Sequence, residues 1–242
     1  MTTPPTPAPE PASPSPSPVD PISPPDPAPF PQPSPTDPTA HERLYRSLRS
    51  QIMLGELPPG KALTLRGIAR DHNLSMTPAR EAVRRLAAEG ALQLSLSGRI
   101  TTPALSNDRI EELATLRALL EPELAARALP RAHFALIDRL EAINQGVAQM
   151  VARHDGPGYI RLNLEFHRML YLRAQSPAIL QLTETVWLQL GPTMRALYGR
   201  LQRTEPPRNH RLILAALKAG DEPGLRLAVR TDVTQGLRML KG

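Results

Sequence analysis

Cysteine is absent from this chain. That excludes disulfides and thiolate metal sites, and it fits a reducing cytosol. Aromatic residues are scarce, with one Trp, four Tyr and three Phe in 242 residues. No apolar run is long enough to cross a bilayer. The N-terminus has no basic segment followed by an apolar core, so no signal peptide is expected and a cytoplasmic location is. Neither a nucleophile–base pair nor a phosphate-binding loop is visible, which argues against an enzyme. Lysine is nearly missing: three of 29 basic residues are Lys. Arginine's planar fork suits phosphate and base edges better than an ammonium does, although genomic base composition produces the same bias.

Proline, by contrast, is abundant and unevenly placed. Residues 1–40 hold seventeen of the 29 prolines and four acids (Glu10, Asp20, Asp26, Asp37), with no Lys or Arg. Such a segment cannot bury enough apolar surface to fold, so residues 1–40 are expected to be a disordered Pro-rich tail. The rest of the chain then carries 29 basic and 19 acidic residues. A basic folded portion favours a polyanionic partner.

Order is expected from His41. Leu44, Tyr45, Leu48, Ile52 and Met53 mark a first helix that Gly55 ends, and Leu57-Pro58-Pro59-Gly60 makes a rigid turn. Thr64 caps a second helix, Leu65 to Asp71. Asn73 and Leu74 form a tight turn into a third helix. Ser75 and Thr77 are its N-cap candidates, Pro78 suits its first turn, and Ala79, Val83, Leu86 and Ala87 form its buried stripe. Arg80, Arg84 and Arg85 fall off that stripe. Glu89-Gly90 closes the helix, with Gly90 at the left-handed position. Leu92 to Thr101 alternates apolar and polar residues around a Ser97-Gly98 turn, which reads as a hairpin with Arg99 near its tip. Three helices and a hairpin make a winged helix-turn-helix over residues 41–104. Its hydroxyls and arginines can grip phosphate and fork onto guanine, and its wing can reach the minor groove. A solvated basic surface helix is the competing reading of the third helix alone.

From residue 105 to 242 the pattern is helical throughout. Six helices are expected, near 107–128, 131–153, 157–175, 177–200, 207–219 and 222–240. The fold class is therefore mainly α: a winged helix-turn-helix, then an all-α bundle, preceded by the tail.

The succession Leu54-Gly55-Glu56-Leu57-Pro58-Pro59-Gly60, Leu65-Arg66-Gly67-Ile68-Ala69, Ser75 to Leu86 and Glu89-Gly90 resembles the GntR family of transcription regulators, FadR subfamily. The resemblance covers roughly residues 41–240. It implies DNA contacts from Arg66, Ser75, Thr77 and Arg80, with Gly98 in the wing approaching the minor groove. Met76 departs from the pattern, which usually has Arg there. Six C-terminal helices point to the VanR-like group, whose C-terminal domain is of the FadR (FCD) type.

Asn163 and His167 sit four apart on one helix, His210 opens a later one, and Asp232 lies on the last. Bundle interiors collect ligands from facing helices in this way. Mixed N and O donors suit Zn²⁺, Ni²⁺ or Mn²⁺; ordinary part-buried histidines are the alternative. The resemblance implies an Asp at position 163 and a His at 232, so Asn163 and Asp232 are departures that leave one carboxylate and two imidazoles. Arg117 and Glu121 match an Arg-x-x-x-Glu pattern of such domains. Arg117 is expected either to face the effector pocket or to form a helix-surface ion pair with Glu121.

The whole is read as a homodimeric regulator, a repressor, that binds a double-stranded DNA operator. Its bundle takes a small effector, a carboxylate resting on a divalent metal. A metal-dependent enzyme, or a DNA-binding dimer that no longer senses an effector, are the alternatives.

Overall fold

The computed structural model describes residues 2, 39–95, 97–201 and 208–238, with the backbone alone given at 196–201 and 236–238. The Pro-rich tail, apart from Thr2, Thr39 and Ala40, lies outside the described residues, as does the break at Glu205-Pro206-Pro207.

The first helix, α1 (Ala40–Met53), turns Leu44, Tyr45, Leu48 and Ile52 inward, and Gly55 ends it at a φ of +66°. In α2 (Leu65–Asp71), the Thr64 side chain caps the first turn by accepting from the Gly67 amide at 3.0 Å. Asn73, at φ +54°, makes the turn into α3 (Met76–Ala88). That helix buries Ala79, Ala82, Val83 and Leu86 against α1 and α2. Each large aliphatic side chain so buried stabilises by roughly 1.5–3 kcal/mol.

Three two-residue strands complete the head. Strands β2 (Gln93–Leu94) and β3 (Ile100–Thr101) form the expected wing. A third, β1 (Ala62–Leu63), also pairs with β3, giving the antiparallel order β1-β3-β2 with Leu63 opposite Ile100 and Ile100 opposite Leu94. A strand of two residues has no periodicity to read, so β1 was invisible in the sequence. Buried Thr102 ties it down. Its hydroxyl donates to the Pro58 carbonyl at 2.6 Å and accepts from the Lys61 amide at 2.9 Å, fixing the proline turn to the wing.

The C-terminal part contains α4 (Asn107–Ala128), α5 (Phe134–Ala152), α6 (Gly156–Tyr171), α7 (Pro177–Leu201), α8 (Arg208–Ala219) and α9 (Glu222–Arg238). The expected segmentation is matched, except that residues near 131 and 172–174 are short 3-10 turns. Ser106, Asp155 and Asp221 cap α4, α6 and α9 by accepting amides three residues on, the role short polar side chains take at helix starts. Helix α4 packs along α9, α5 along α6, and α8 along α9. Phe166, Leu170, Tyr171, Leu124, Leu140 and Ile213 are fully buried in the centre.

Head and bundle share residues. Leu188 of α7 inserts into the head's core, while Met53 of α1 packs on both cores. Nothing in the apolar pattern of α7 marked Leu188 as belonging to another domain's interior.

Candidate nucleic-acid interface and a histidine–aspartate cluster

Two assemblies of polar residues stand out, one on the head and one inside the bundle. On the head, Ser75 occupies the N-cap of α3 yet makes no side-chain cap bond. Its hydroxyl and that of exposed Thr77 are left facing solvent at a helix start, where unpaired amides and the dipole favour an anion. Arg66, Arg80, Arg84 and Arg99 are all exposed. None of their guanidinium groups is held by an acceptor among the described residues. Gly98 takes a φ of +80° at the wing turn, a conformation that strains any L side chain. Its amide donates to the Ser95 carbonyl at 2.9 Å.

Arg85 behaves differently. Its guanidinium lies 3.6 Å from the centroid of the Tyr45 ring and pairs with Glu42 at 2.9 Å and Glu89 at 3.4 Å. The Tyr45 hydroxyl in turn donates to Glu89. Arg85 thus clamps α3 to α1, and although its side chain is half exposed its charge is already met by acceptors of the head. The sequence grouped it with Arg80 and Arg84 because helical spacing records direction and not partners.

Inside the bundle, α6, α8 and α9 bring His167, His210 and Asp232 together, with one potential ligand atom from each lying within 4.8 Å of the others. His167 Nε2 is 2.9 Å from Asp232 Oδ2, and His210 Nε2 is 4.0 Å from the same oxygen. The Nδ1 sides are occupied. Tyr171, one turn after His167, donates its hydroxyl to Glu121 at 3.0 Å, so its oxygen accepts from His167 Nδ1 at 3.1 Å. His210 Nδ1 donates to Asn144 Oδ1 at 3.2 Å, and its ring stacks on Phe166 with centroids 4.0 Å apart.

With Nδ1 protonated on both rings, the Nε2 atoms converge on Asp232. At His167, Nε2 then either carries a second proton shared with Asp232 or offers its lone pair to a cation. Burial alone would raise the Asp232 carboxyl. The His167 hydrogen bond and the charges of His210, His167 and Arg117 outweigh it and hold the group well below the usual carboxylate range. A buried anion whose facing groups are two imidazole nitrogens fits a divalent metal. Donors on a zinc-sized ion sit roughly 3.3 Å apart, from bonds of about 2.0–2.1 Å, so small adjustments would seat one. Three protein ligands would leave an open position for an oxygen ligand.

Asn163, the fourth residue of the expected set, lies one turn before His167 on α6 and lines a cavity of about 20 Å³ that the other three do not line. Arg117 lines it too. The Arg117–Glu121 pair exists, but it is buried, unlike the helix-surface pair that was one of the two alternatives for Arg117. Glu121 is fully enclosed and accepts from Arg117, from Tyr171 and from the Trp187 indole N–H at 2.9 Å. A carboxylate taken out of water must be compensated in this way. Burial alone would lower the Arg117 guanidinium; the charge of Glu121 and its hydrogen bond raise it instead. Burial pushes the Tyr171 hydroxyl well up, reinforced by Glu121, so it stays a donor. Sequence reasoning missed Tyr171, although its place four residues after His167 was a signal that could have found it. Asn144 and Trp187 carried no signal.

Comparison with known proteins agrees on both halves. Residues 40–99 match the family described as bacterial regulatory proteins, gntR family, and residues 112–235 match the FCD domain. The HTH-type transcriptional regulator McbR of Escherichia coli is 28% identical over 196 residues, covering 80% of this chain and 89% of McbR. The gluconate operon transcriptional repressor of Bacillus subtilis is 26% identical, covering 74% and 76%. The solved structure of E. coli McbR/YncC superposes with a TM-score of 0.77 at 26% identity, covering 84% of this chain and 97% of that one. A GntR regulator from Rhodococcus sp. RHA1, with a TM-score of 0.68 at 21% identity over 84% and 97%, shares the fold. No described helix is long and apolar enough to cross a membrane. The FCD match alone takes in about half of the chain, and with the gntR match ahead of it the protein belongs to the gntR family of bacterial regulators: it is a DNA-binding transcriptional regulator with a C-terminal effector-binding FCD domain, and not an enzyme.

Proposed function

We propose that residues 41–104 bind a roughly palindromic operator as half of a homodimer, and that residues 105–242 dimerise and bind a carboxylate effector on a divalent metal, behind a tail of residues 1–40. Arg66, Ser75, Thr77 and Arg80 enter the major groove. Gly98 and Arg99 lie at the minor groove. A two-fold dimer sets its two α3 helices about 34–36 Å apart, one turn of DNA, or a multiple of that. Binding represses, the role stated in the name of the B. subtilis relative.

His167, His210 and Asp232 hold the metal, with Zn²⁺, Ni²⁺ or Mn²⁺ as candidates. The metal supplies positive charge for the effector's carboxylate. Asn163 and Arg117 act from the cavity side, Asn163 by its amide and Arg117 by its charge. Effector binding then biases the arrangement of the two heads, only as far as its affinity differs between arrangements.

The observation that carries this reading is the division among the head's arginines. The Arg85 guanidinium is paired within the head, while those of exposed Arg66, Arg80, Arg84 and Arg99 have no acceptor among the described residues. Selection of bound duplex from a random pool tests it, run with and without Zn²⁺ and a set of carboxylic acids. A palindromic winner whose recovery falls with an acid is the expected result. Failure to enrich any duplex at low ionic strength would overturn it. An enriched duplex with no bound metal and no responsive acid would favour a dimer that binds DNA without sensing.

A further inference from the structure

The cavity lined by Arg117 and Asn163 is not walled by the bundle alone. Arg117, Asn163, Trp187, Leu190 and Met194 are among its lining residues, and so is Met53. Met53 is the last residue of α1 and so belongs to the DNA-binding head.

The joint beneath Met53 has no slack. Helix α7 passes α1 at Gly191, where an added Cβ would overlap the Ile52 carbonyl oxygen and crowd the Met53 Cα. A Cβ at Gly55 would likewise meet the Gly191 carbonyl oxygen at 2.8 Å. Arg195 donates to the Gly55 carbonyl at 3.2 Å, and Leu188 sits in the head's core one turn earlier. Backbone meets backbone here, so a displacement of the Met53 segment is transmitted to the head and not absorbed by side chains.

The cavity holds about 20 Å³, room for a single water and too little for an organic anion. An occupant must therefore push a wall aside. Arg117 and Trp187 are both fixed on Glu121, and Leu190 is packed in a small cluster with Ile110, Leu113 and Val186. Met53 and Met194 are unbranched, but both are packed, Met194 on the Leu190 cluster and Met53 on the cores of head and bundle, so neither swings clear without moving its neighbours. Of these, Met194 stays on α7, whereas Met53 leads directly into α1.

We propose that Met53 is the residue that couples effector to operator: an occupant of this cavity displaces it, and α1 carries the displacement into the head. This rests on the reading of the bundle as the effector-binding domain. It adds that the DNA-binding head supplies part of the effector's chamber. Met53 acts through α1 and is a positioning residue.

The test uses the full-length chain with the duplex enriched from the random pool, read by fluorescence anisotropy at fixed salt. Calorimetry with Zn²⁺ and citrate is the binding probe. Met53→Phe fills the chamber from within, as an occupant would. It should weaken duplex binding at least fivefold with no ligand added, leaving Zn²⁺ affinity within twofold. Met53→Ala should still bind Zn²⁺ and citrate but lose at least fivefold of any citrate effect on duplex binding. Met53→Leu should restore the wild-type response, which separates coupling from mere loss of packing. Citrate that binds and acts equally on wild type and Met53→Ala would overturn the proposal. If citrate binds neither protein, the Met53→Phe arm decides alone, and unchanged duplex affinity there overturns it. That pattern is distinct from failure of the effector reading, in which the Phe substitution weakens binding although no acid does.

Discussion

Replacing Tyr171 with Phe isolates one atom in the bundle's polar centre. The ring stays beside Trp187, 6.0 Å between centroids, so packing is nearly unchanged. The lost hydroxyl takes two hydrogen bonds with it: one donated to the buried Glu121 carboxylate at 3.0 Å, one accepted from His167 Nδ1 at 3.1 Å. A hydrogen bond to a charged group contributes about 1.5–3 kcal/mol, and a buried donor left unmatched costs a further 1–3 kcal/mol. Glu121 keeps Arg117 and Trp187, which softens the first loss. We therefore expect roughly 2–4 kcal/mol of destabilisation in metal-free protein. For a folded part of this size, that lowers the thermal midpoint by roughly 5–10 °C. The second consequence concerns metal. Tyr171 fixes which nitrogen of His167 faces Asp232, and partners of this kind contribute about 10–100-fold to metal affinity. Scanning calorimetry and Zn²⁺ titration read the two effects separately. A midpoint within about 1 °C of wild type and an unaltered Zn²⁺ affinity together would show that the chain from Glu121 through Tyr171 to His167 is not the bonded unit described.

Arg80→Ala should weaken operator binding by about 1–3 kcal/mol and leave the thermal midpoint unchanged. Salt-matched anisotropy checks this, and an unaffected affinity would remove Arg80 from the groove. Arg85→Ala should do the reverse. It loses a cation–π contact and two half-exposed ion pairs, so about 1 kcal/mol of head stability goes while operator affinity falls less than for Arg80→Ala. Denaturant unfolding beside the same anisotropy assay decides, and a larger affinity loss at Arg85 would reject the division between held and presented arginines. Asp232 sets an acid limit. Its carboxyl is held below its ordinary value, against burial, by the His167 hydrogen bond and by neighbouring positive charge. The stability it contributes is thus present above the unfolded pKa of about 3.9 and is lost as pH falls through the folded one. Metal-free wild type should lose stability more steeply than Asp232→Asn between pH 5 and pH 3, and parallel denaturation curves would contradict this.

Much of the fold was legible because its determinants are local. Thr64 before Leu65, Gly55 and Gly90 after their helices, and the apolar stripe of α3 each fix structure within a few residues. His167 was legible as a ligand candidate through Asn163, one turn away on α6. The partners that orient the two histidines were missed. Tyr171 is on the same helix, but Asn144 is 66 residues from His210 and Trp187 is 66 from Glu121. A single sequence carries no record of such pairs. The cavity wall is the extreme case, because Met53 looks like any apolar residue ending a helix. Its meaning depends on Gly191, a glycine whose value is the side chain it lacks where α7 passes α1.

The arginines make the same point in electrostatic terms. Composition says that the head is basic, and spacing says which arginines avoid the core. Neither says which charges remain to be neutralised. Arg85 is satisfied internally by Glu42, Glu89 and the Tyr45 ring, and Arg49 by Glu89 and Glu184. Arginines already paired release few counterions on meeting a phosphate, because their charge is compensated before DNA arrives. The salt dependence of operator binding should therefore track Arg66, Arg80, Arg84 and Arg99, and not the total number of basic residues in the head.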